Sequence, residues 1–262
     1  MFAEERQLLI AELVADDGRV TVSDLAERFH ITPETIRRDL DALETTRRLR
    51  RVHGGAVAMN KLTMSEPSIA ERQTQRTDEK SRIAAAALTL IPTSRTASIL
   101  LDAGTTTERL ADRLVSWRPS SPGDELLVIT NALPIATLLA SNDEIKLHIL
   151  GGRVRGLTSA IVGATTTSEL EAFRVDIAFI GTNGVDARFG FSTPDTVEAA
   201  VKTAMVRSAR RVVALADSSK LDEETLVRFA ALSDVDTLIT DAVPSPSLAA
   251  ALRAADVEVV IA

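Results

Sequence analysis

The chain contains no cysteine, which excludes a disulfide framework, a thiolate metal site and a thiol nucleophile. Its three histidines, His30, His53 and His148, lie far apart in the sequence, so we expect no transition-metal site. No apolar run approaches the ~20 residues that a membrane-spanning helix needs. The first residues are charged and lack the apolar core of a signal peptide. We therefore predict a cytoplasmic protein with no metal and no cofactor.

Charge is unevenly distributed along the chain. Its 30 lysines and arginines stand against 37 acidic residues, a net charge of −7, so the chain as a whole has no general affinity for nucleic acid. Between residues 33 and 57 the balance reverses, with six arginines against four carboxylates. A local basic patch on an acidic protein is typical of a surface that docks on DNA. At 262 residues the chain has room for a small module and one sizeable domain.

A helix that enters a DNA groove is predicted from residue 33 onward. Thr32 is a favourable N-cap, and Pro33 takes the first helical position, where its missing N–H costs nothing. Ile36, Leu40 and Leu43 recur at helical spacing and define a buried face. Other positions near the N-terminal end face outward, as in a recognition helix. The predicted DNA contacts on and around this helix are Ser23, Thr32, Glu34, Thr35, Arg37 and Arg38.

A basic hairpin follows the predicted recognition helix. Arg47, Arg48, Arg50 and Arg51 precede His53 and two glycines, a pattern typical of a wing that grips phosphate. Arg50, Arg51 and His53 complete the predicted DNA contacts. Arg50 and Arg51 are expected to touch phosphate, which supplies affinity and salt dependence but little sequence information.

Two further helices are expected before the recognition helix. Ser23 is the predicted N-cap of a helix from Asp24 to Phe29, and a very short turn at residues 30–31 follows it. A first helix is expected over residues 4–15. Three short helices with a basic hairpin indicate an α+β winged helix-turn-helix. The alternative is a small helical bundle whose arginines are only solvated, and the arginine hairpin favours the former.

The chain changes character after the hairpin. Residues 54–64 are loop-like, and one helix is expected from Ser68 to Leu90. Beyond residue 97, short apolar runs alternate with helical stretches, which predicts a mostly parallel, doubly wound α/β sheet. The predicted strands are 97–101, 126–130, 145–150, 176–180, 212–216, 235–239 and 257–261, and the predicted helices 106–115, 134–140, 165–173 and 197–210. We divide the chain into a winged helix-turn-helix domain (1–57), a linker with a coupling helix (58–92) and an α/β domain (93–262).

Polar residues cluster where the predicted strands end, and ligands of such sheets bind beyond the carboxyl ends of the strands. The Gly/Thr turn 102–107 opens a helix and offers N–H groups, hydroxyls and a positive helix end to an anion, most naturally a phosphate. Residues 130–131, 151–153, 181–186 and 217–220 follow other strands, and Lys220 can neutralise a phosphate. Each end alone is also an ordinary loop, tight turn or helix cap. Five of them at one sheet edge favour a polyhydroxylated, anionic ligand.

These motifs together resemble the DeoR-type bacterial repressors. The DNA-binding part of the resemblance rests on residues 35–40 and 51–56, and the α/β part on residues 102–107, 130–131, 181–184 and 217–220. It covers nearly the whole chain and is nearest to actinobacterial regulators of fructose and phosphotransferase-system genes. It implies a sensor domain related to ribose-phosphate isomerases and CoA transferases. A phosphorylated sugar, with fructose 1-phosphate as the first candidate, would release the protein from its operator.

The predicted effector contacts lie at the strand ends and on one later helix. They are Asp102, Gly104, Thr105, Thr106, Thr107, Thr130, Asn131, Gly152, Arg153, Asn183, Gly184, Glu198, Lys202, Asp217 and Lys220. The resemblance also assigns Arg72 and Lys80, on the helix after the linker, to domain coupling or ligand contact. A homodimer or larger homo-oligomer is expected, because paired recognition helices match a symmetric or repeated operator. The expected partners are thus operator DNA in the nucleoid, a sugar phosphate and further copies of the chain, with no membrane.

One departure from the family pattern lies between the recognition helix and the wing. The family usually has a glycine and an aliphatic residue where this chain has Arg47-Arg48. Glycine there would form a left-handed C-cap without steric cost. The two arginines make that turn less favourable or different, so the resemblance does not predict the entry angle of the wing.

Two other functions stay open at this point. A sugar-phosphate isomerase-like enzyme with an accessory helix-turn-helix would move a proton with a carboxylate, for which Asp102, Glu198 and Asp186 are candidates. However, Asn183 and Gly184 stand where the loop of such an enzyme favours acids, and an asparagine cannot act as a base. A domain that only oligomerises is disfavoured by the clustered polar strand ends. The sequence therefore favours a regulator without enzymatic activity.

Overall fold

The computed structural model describes residues 3–17, 19–46, 48–52, 54–58, 68–93 and 95–262. The chain divides into two compact units, Met1–Leu62 and Thr63–Ala262, and each is described by itself. Arg47 and His53, both predicted near the DNA, lie outside the described residues. Within the described part, no helix has the length and apolar character that crossing a membrane requires.

The first unit is a winged helix-turn-helix, as predicted. It consists of α1 (Ala3–Asp17), β1 (Arg19–Thr21), α2 (Val22–Phe29), α3 (Pro33–Thr45), β2 (Leu49–Val52) and β3 (Gly55–Ala58). The three strands form an antiparallel sheet in the order β1-β3-β2. Ile36, Leu40 and Leu43 are buried in the core of this unit, as their spacing predicts.

Both helices of the helix-turn-helix begin at a threonine. Thr32 Oγ1 accepts a hydrogen bond from Thr35 N at 3.3 Å, as predicted, and Pro33 follows it. The prediction that Ser23 caps the preceding helix was wrong. That helix, α2, begins at Val22, and Thr21 Oγ1 accepts from Asp24 N at 3.1 Å. Because β1 runs directly into α2, its last residue is extended, which is the conformation of an N-cap.

A buried ion pair fixes α3 against α1. Arg6 Nε donates to Asp39 Oδ2 at 2.6 Å, and Gln7 Nε2 donates to Asp39 Oδ1 at 3.0 Å. Both charged side chains are about nine-tenths or more buried, so the carboxylate is compensated by two donors rather than by water. This contact sets the orientation of α3 within the unit.

The second unit is built on a seven-stranded parallel sheet. Its helices are α4 (Ile69–Thr74), α5 (Thr77–Leu88), α6 (Thr105–Leu114), α7 (Leu133–Leu139), α8 (Ala164–Glu171), α9 (Thr196–Arg207) and α10 (Pro246–Ala254). Its strands are β4 (Ala97–Leu101), β5 (Leu126–Thr130), β6 (Ile145–Ile149), β7 (Arg153–Arg155), β8 (Ala160–Val162), β9 (Val175–Gly181), β10 (Gly184–Asp186), β11 (Gly190–Thr193), β12 (Ala209–Leu215), β13 (Val227–Ala230), β14 (Thr237–Thr240) and β15 (Glu258–Ile261). The main sheet has the order β15-β14-β12-β9-β4-β5-β6. The predicted doubly wound α/β architecture is confirmed.

The strand order reverses between β4 and β9. From β4 the chain continues to β5 and β6 on one side, whereas β9, β12, β14 and β15 follow on the other. The two strands are paired in parallel, with Leu101 opposite Phe179. Their carboxyl ends carry Asp102 and Gly181. A reversal of this kind opens a crevice beyond the strand ends, where ligands of α/β sheets bind.

Apolar residues are buried on both faces of the main sheet. Along β4, Ile99 and Leu101 belong to one hydrophobic cluster, and Leu100 belongs to the other, together with Ile180 of β9. Because both faces are covered, strands of a parallel sheet are continuous apolar runs in the sequence. This is why most of them could be located from composition alone.

Two predicted helices were wrong in extent. The single helix expected over residues 68–90 is two helices, separated by an extended Gln75 and a left-handed Arg76. The helix expected to reach Arg210 ends at Arg207, and Ala209 already pairs with Val175 in the sheet. In the second case strand pairing overrides local helix propensity.

Sequence reasoning also missed several short elements. These are the hairpin β7–β8, the small antiparallel sheet β10-β11-β13 and helix α10. The strands have three or four residues each, too few for a periodic pattern. Helix α10 had a readable signal, because Ser245 caps it and Pro246 takes its first position.

Candidate functional site

The N-terminal half of α3 presents a polar surface to solvent. Glu34, Arg37 and Arg38 are exposed, and Thr35 is half-buried. Arg37 Nη1 donates to Glu34 Oε2 at 3.0 Å. An exposed pair of this kind contributes little free energy, so a DNA base or phosphate can replace it. On α2, Ser23 is exposed as well. The helix thus offers two guanidinium groups at the positions predicted for base contact.

The wing is tied to α3 through one arginine. Arg51 N donates to Glu44 Oε1 at 2.7 Å, and the Arg51 guanidinium is paired with Asp41. A phosphate that binds Arg51 must therefore compete with the Asp41 carboxylate. Arg50 lies in β2 opposite Val57 of β3. The phosphate contacts of both arginines stay predictions.

The turn between α3 and the wing closes without a left-handed residue among those described. Thr46, the C-cap of α3, has φ −87° and ψ 8°, and Arg48 N donates to Leu43 O at 2.9 Å. Arg48 is exposed, and Arg47 lies outside the described residues. The effect of the Arg47-Arg48 pair on the wing therefore stays a prediction.

Helix α6 begins at the crevice between β4 and β9. Its N-cap residue, Gly104, has no side chain to accept from the first-turn N–H groups. Thr105 and Thr106 follow it, and both are largely buried. Thr107 Oγ1 donates to Asp102 O at 2.6 Å and to Gly104 O at 2.8 Å, which fixes the loop. The positive end of α6 is thus aimed at the sheet edge without a capping acceptor of its own, the arrangement that suits an anion.

Thr130 and Asn131, both predicted effector contacts, connect neighbouring loops. Thr130 Oγ1 donates to Leu101 O at 2.7 Å. Asn131 Oδ1 accepts from Ala103 N at 3.0 Å, and its Nδ2 donates to Ile161 O at 3.0 Å. Because these side-chain atoms are engaged with the protein, the two residues position the loop before α6 and the β7–β8 hairpin around the crevice.

A buried ion pair lies at the strand reversal itself. Lys202 Nζ on α9 donates to Asp102 and, at 2.9 Å, to Gly181 O, while Gly181 N donates to Asp102 Oδ2 at 3.1 Å. Lys202 also lies 5.5 Å from the centre of the Phe229 ring. Burial raises the pKa of Asp102, and the lysine charge opposes that shift. The Asp102–Lys202 pair thus connects the ends of β4 and β9 and places two opposite charges at the strand reversal.

A second charged group joins the start of α9 to the β7–β8 hairpin. Glu198 Oε1 accepts from Thr158 Oγ1 at 2.5 Å and from Arg155 Nη1 at 3.2 Å. Arg155 Nε donates to Asp195 Oδ2 at 3.2 Å. Thr158 and Arg155 were missed because no hairpin was predicted there. Arg153, the predicted contact at the start of β7, is exposed.

Two of the predicted effector contacts are glycines at positions where the packing leaves no room for a side chain. Gly152 has φ +149°, and a Cβ there would lie 2.3 Å from Thr166 Oγ1. A Cβ on Gly184 would lie 2.4 Å from a backbone oxygen of the neighbouring loop. The fold therefore requires glycine at both positions, independently of any contact with a ligand. Asn183 Oδ1 accepts from Thr193 Oγ1 at 3.1 Å.

Cations gather around Lys80 on α5. The pKa of Lys80 is lowered to about 8, mainly by burial and also by the positive charges of Lys220, Arg72 and Arg109, while the Asp217 carboxylate opposes the shift. Lys80 Nζ donates to Arg72 O. Lys80, Lys220, Arg72 and Arg109 thus lie close enough for the last three to act on Lys80, and positive charge grouped in this way favours an anion.

The structure therefore gathers the predicted effector residues into distinct groups. Asp102 and Lys202 meet at the strand reversal, Glu198 joins the hairpin, and Asp217 and Lys220 lie on the loop that acts on Lys80. Among the described residues, no three His, Asp or Glu side chains are arranged to hold a metal ion.

Comparison with known proteins agrees with this architecture. The model of the DeoR-like helix-turn-helix domain matches residues 6–61, and the model of the DeoR C-terminal sensor domain matches residues 75–242. The regulator FruR of Bacillus subtilis, described as an uncharacterized HTH-type transcriptional regulator, is 34% identical over 92% of either chain. The glycerol-3-phosphate regulon repressor of Escherichia coli is 33% identical over 91% of either chain.

A solved structure that resembles the chain overlaps it only in part. Ribose 5-phosphate isomerase A of Methanocaldococcus jannaschii is 21% identical, covers 56% of this chain and 55% of its own, and has a TM-score of 0.40. An overlap of that extent says nothing about chemistry. The helix-turn-helix model matches the chain before the sensor-domain model, in the order of the two units found here. The chain belongs to the DeoR family of DNA-binding transcriptional regulators.

Proposed function

We propose that the chain represses genes of sugar uptake or metabolism and is released from its operator by a phosphorylated sugar. The observation that carries the effector half of this proposal is the uncapped start of α6 at the strand reversal. In the same unit, the positive charges of Lys220, Arg72 and Arg109 act on Lys80. Fructose 1-phosphate is the first candidate, on the resemblance to actinobacterial fructose regulators.

The proposed DNA contact rests on the exposed residues of α3. Arg37 and Arg38 lie near its N-terminal end, which helix-turn-helix proteins place against base edges. The Arg6–Asp39 pair keeps α3 fixed on α1, so that the two arginines are presented by a rigid element. A homodimer or larger homo-oligomer would place two such helices on two half-sites.

The proposed effector contact has two chemically different parts. The α6 N-terminus and the cations around Lys80 suit a phosphate, because N–H groups and ammonium or guanidinium groups all stabilise negative charge. The carboxylate and hydroxyl of Glu198 and Thr158 lie close to Arg155, and such groups suit the hydroxyls of a sugar. A phosphorylated sugar satisfies both parts, whereas a free sugar satisfies only one.

The contacts of the carboxylates support a regulator without enzymatic activity over a sugar-phosphate isomerase. Asp102 is held by Lys202 and by a backbone N–H, and Glu198 is held by Arg155 and Thr158. A carboxylate engaged in this way is a weak general base. Incubation with ribose 5-phosphate or fructose 6-phosphate, followed by NMR, should show no isomerised product. Turnover above the level of a Lys202→Met variant would support the enzyme instead.

A thermal-shift screen tests the effector. Sugar phosphates, with fructose 1-phosphate and glycerol 3-phosphate among them, should raise the Tm, and the matching unphosphorylated compounds should not. At a ligand concentration of 100 Kd the stabilisation is about 2.7 kcal/mol, which for a chain of this size raises Tm by about 5–10 °C. Lys220→Gln should remove most of the shift. Lys146→Gln, an exposed lysine paired with Glu125, is the matched control and should keep it. A screen in which no phosphate binds would refute the effector proposal.

The pH dependence of effector binding gives a second test. The pKa of Lys80 is about 8, so the side chain is about nine-tenths protonated at pH 7 and about one-tenth at pH 9. A phosphate binds protonated Lys80 more tightly than neutral Lys80. Binding therefore raises the pKa of Lys80, and the protein takes up protons when it binds the phosphate above pH 8. We expect the affinity for the sugar phosphate to fall about 3- to 10-fold between pH 7 and pH 9, measured by calorimetry. Lys80→Met should bind more weakly at pH 7 with a flatter profile, and a flat profile in the unaltered chain would contradict a role for Lys80.

A further inference from the structure

The break between α4 and α5 is unusual for its sequence. Gln75 is extended, with φ −93° and ψ 135°, and Arg76 is left-handed, with φ 51° and ψ 45°. A left-handed backbone is unfavourable for any residue with a Cβ. The composition of residues 68–90 predicts one continuous helix. A conformation of this kind persists only where the surroundings determine it, so other contacts must hold the break in place.

Those contacts come from the Arg76 side chain, which reaches the ends of two strands. Its Nη1 donates to Ser218 Oγ at 2.8 Å and lies 3.9 Å from Asp241 Oδ2, and its Nε lies 3.6 Å from Asp217 Oδ1. Glu79 Oε1 is 3.5 Å from Nη1. Asp217 and Asp241 are more than nine-tenths buried, so the guanidinium compensates carboxylates that water does not reach. We call this set of contacts the Arg76 clasp.

The clasp holds the loop that carries Lys220. Ser218 and Lys220 belong to one short turn of 3₁₀ helix, for which Asp217 is the N-cap. Ser218 is in turn fixed on Asp241, through its N at 2.6 Å and its Oγ at 3.0 Å. The turn that would bind a phosphate through Lys220 is therefore the same turn that anchors Arg76. A change at one is mechanically connected to the other.

Helix α4 has its other contacts around the same site. Its Ile69 N donates to Leu157 O, in the turn between β7 and β8, at 3.0 Å. Its Gln73 Nε2 donates to both oxygens of Glu108, in the first turn of α6, at 2.9 and 3.0 Å. Among the residues that the structure describes, α4 is also the first helix after the DNA-binding unit along the chain. A change at the break between α4 and α5 therefore acts on the helix that comes next in the sequence after that unit.

We propose that residues 75–76 form a two-state hinge that the effector controls, an inference that rests on the proposed function. In one state the Arg76 clasp holds the break between α4 and α5. In the other, the phosphate draws Lys220 and its turn toward itself, the clasp opens, and Arg76 leaves the left-handed region. Helices α4 and α5 then join into one helix over residues 69–88. The effector shifts this equilibrium only by its differential affinity for the two states.

Two substitutions at Arg76 distinguish the effect of losing the side-chain contacts from the effect of changing the backbone preference. Arg76→Ala and Arg76→Gly both delete the clasp, but glycine adopts the left-handed conformation freely and disfavours a continuous helix, whereas alanine does the opposite. Without effector, we expect Arg76→Ala to bind operator at least about 10-fold more weakly than the unaltered chain, and Arg76→Gly within about 3-fold of it. Arg82→Ala is the matched control, because Arg82 is an exposed arginine on α5 that donates to Ala262 O. It should leave operator affinity unchanged.

A distance measurement reads the hinge directly. The chain has no cysteine, so Ala70→Cys and Thr89→Cys place two spin labels on exposed positions on either side of the break. A continuous helix separates these residues by about 29 Å, and a broken one brings them closer. Arg76→Ala should show the longer distance and Arg76→Gly the distance of the unaltered chain. Saturating fructose 1-phosphate should move the unaltered chain toward the longer distance.

The outcomes distinguish the hinge from the effector proposal. Equal distances and equal operator affinities in Arg76→Ala and Arg76→Gly would overturn the hinge, since this comparison uses no effector at all. If the two variants differ as expected but fructose 1-phosphate leaves the distance in the unaltered chain unchanged while it binds, effector control of the hinge is overturned. If fructose 1-phosphate and the other phosphates of the screen do not bind, the proposed function fails. The two conformations of the hinge are then tested by the comparison of Arg76→Ala with Arg76→Gly alone.

Discussion

Alanine in place of Arg37 or Arg38 is expected to weaken operator binding about 5- to 150-fold for each arginine that reads a base. That range corresponds to about 1–3 kcal/mol for a bidentate contact to a base edge. Both residues are exposed near the N-terminal end of α3, so neither change removes a buried contact. The effect should appear in a fluorescence anisotropy titration with operator DNA at fixed salt concentration.

The salt dependence of the same titration tells the two kinds of contact apart. Loss of a phosphate contact lowers the slope of log Kobs against log salt by about 0.9 and weakens all sequences alike. Loss of a base contact leaves the slope nearly unchanged and relaxes specificity at one position. Arg51→Ala should lower the slope in this way. The loss of operator affinity should be smaller than for an unpaired arginine, because in the unaltered chain a phosphate has to compete with Asp41 for Arg51.

Two controls define this experiment. Arg253→Ala removes an exposed arginine on α10 and should leave operator affinity unchanged. The Arg37 and Arg38 variants should retain the full thermal shift with sugar phosphate, because their substitutions lie in the other unit. Unaltered operator affinity in both arginine variants would mean that α3 is not the recognition helix.

The parts of the fold that sequence could predict are those in which local pattern and tertiary structure agree. Thr32 and Pro33 start α3 at the predicted residue, because a cap and a proline act on their own turn. Strand β4 occupies the predicted residues 97–101, since burial on both faces leaves an uninterrupted apolar run. The place of the candidate site followed in turn from the rule about strand ends.

The parts that sequence could not predict depend on contacts distant along the chain. Arg76 is held in its left-handed conformation by Ser218, which is 142 residues away. Arg155 and Thr158 reach Glu198 only because a hairpin of three-residue strands folds back toward α9. No local pattern encodes such a contact, and the helix propensity of residues 68–90 points the other way at the hinge.

The two charged groups of the sensor unit have different tasks. Asp102 and Lys202 are at least nine-tenths buried and connect β4, β9 and α9, which makes them part of the framework of the crevice. Lys80 and the cations that act on it lie on α4, α5, α6 and the 3₁₀ turn of Lys220. Under the proposed function, the rigid crevice would fix the ligand and the surrounding helices would respond to it.

Lys202→Met is expected to destabilise the chain by about 3–5 kcal/mol at pH 7, the cost of leaving a buried partner charge without compensation. Asp102 would keep one backbone donor, Gly181 N, and lose the ammonium group. Burial already raises the pKa of Asp102, and removal of the lysine raises it further. The measurement is urea unfolding followed by circular dichroism, in which the midpoint should fall.

The pH dependence of that loss identifies its cause. In the variant the folded-state pKa of Asp102 lies above the unfolded value of about 3.9, so the neutral acid is favoured on folding. The contribution of Asp102 to the stability of the variant is therefore most favourable at low pH and declines as the pH rises through the folded-state pKa. The difference in unfolding free energy between the variant and the unaltered chain should accordingly be smaller at pH 5 than at pH 7. A deficit of the same size at both pH values would mean that lost packing of the lysine stem, rather than an uncompensated carboxylate, destabilises the variant.

Adding Asp102→Asn to Lys202→Met completes the test. Asparagine keeps the size of the side chain and removes its charge, so the double variant has no buried ion to compensate. It should be more stable at pH 7 than Lys202→Met alone, and its stability should no longer decline between pH 5 and pH 7 on account of this site. The interaction free energy from the double-mutant cycle then measures how strongly the pair connects the strand ends on which the effector crevice is built.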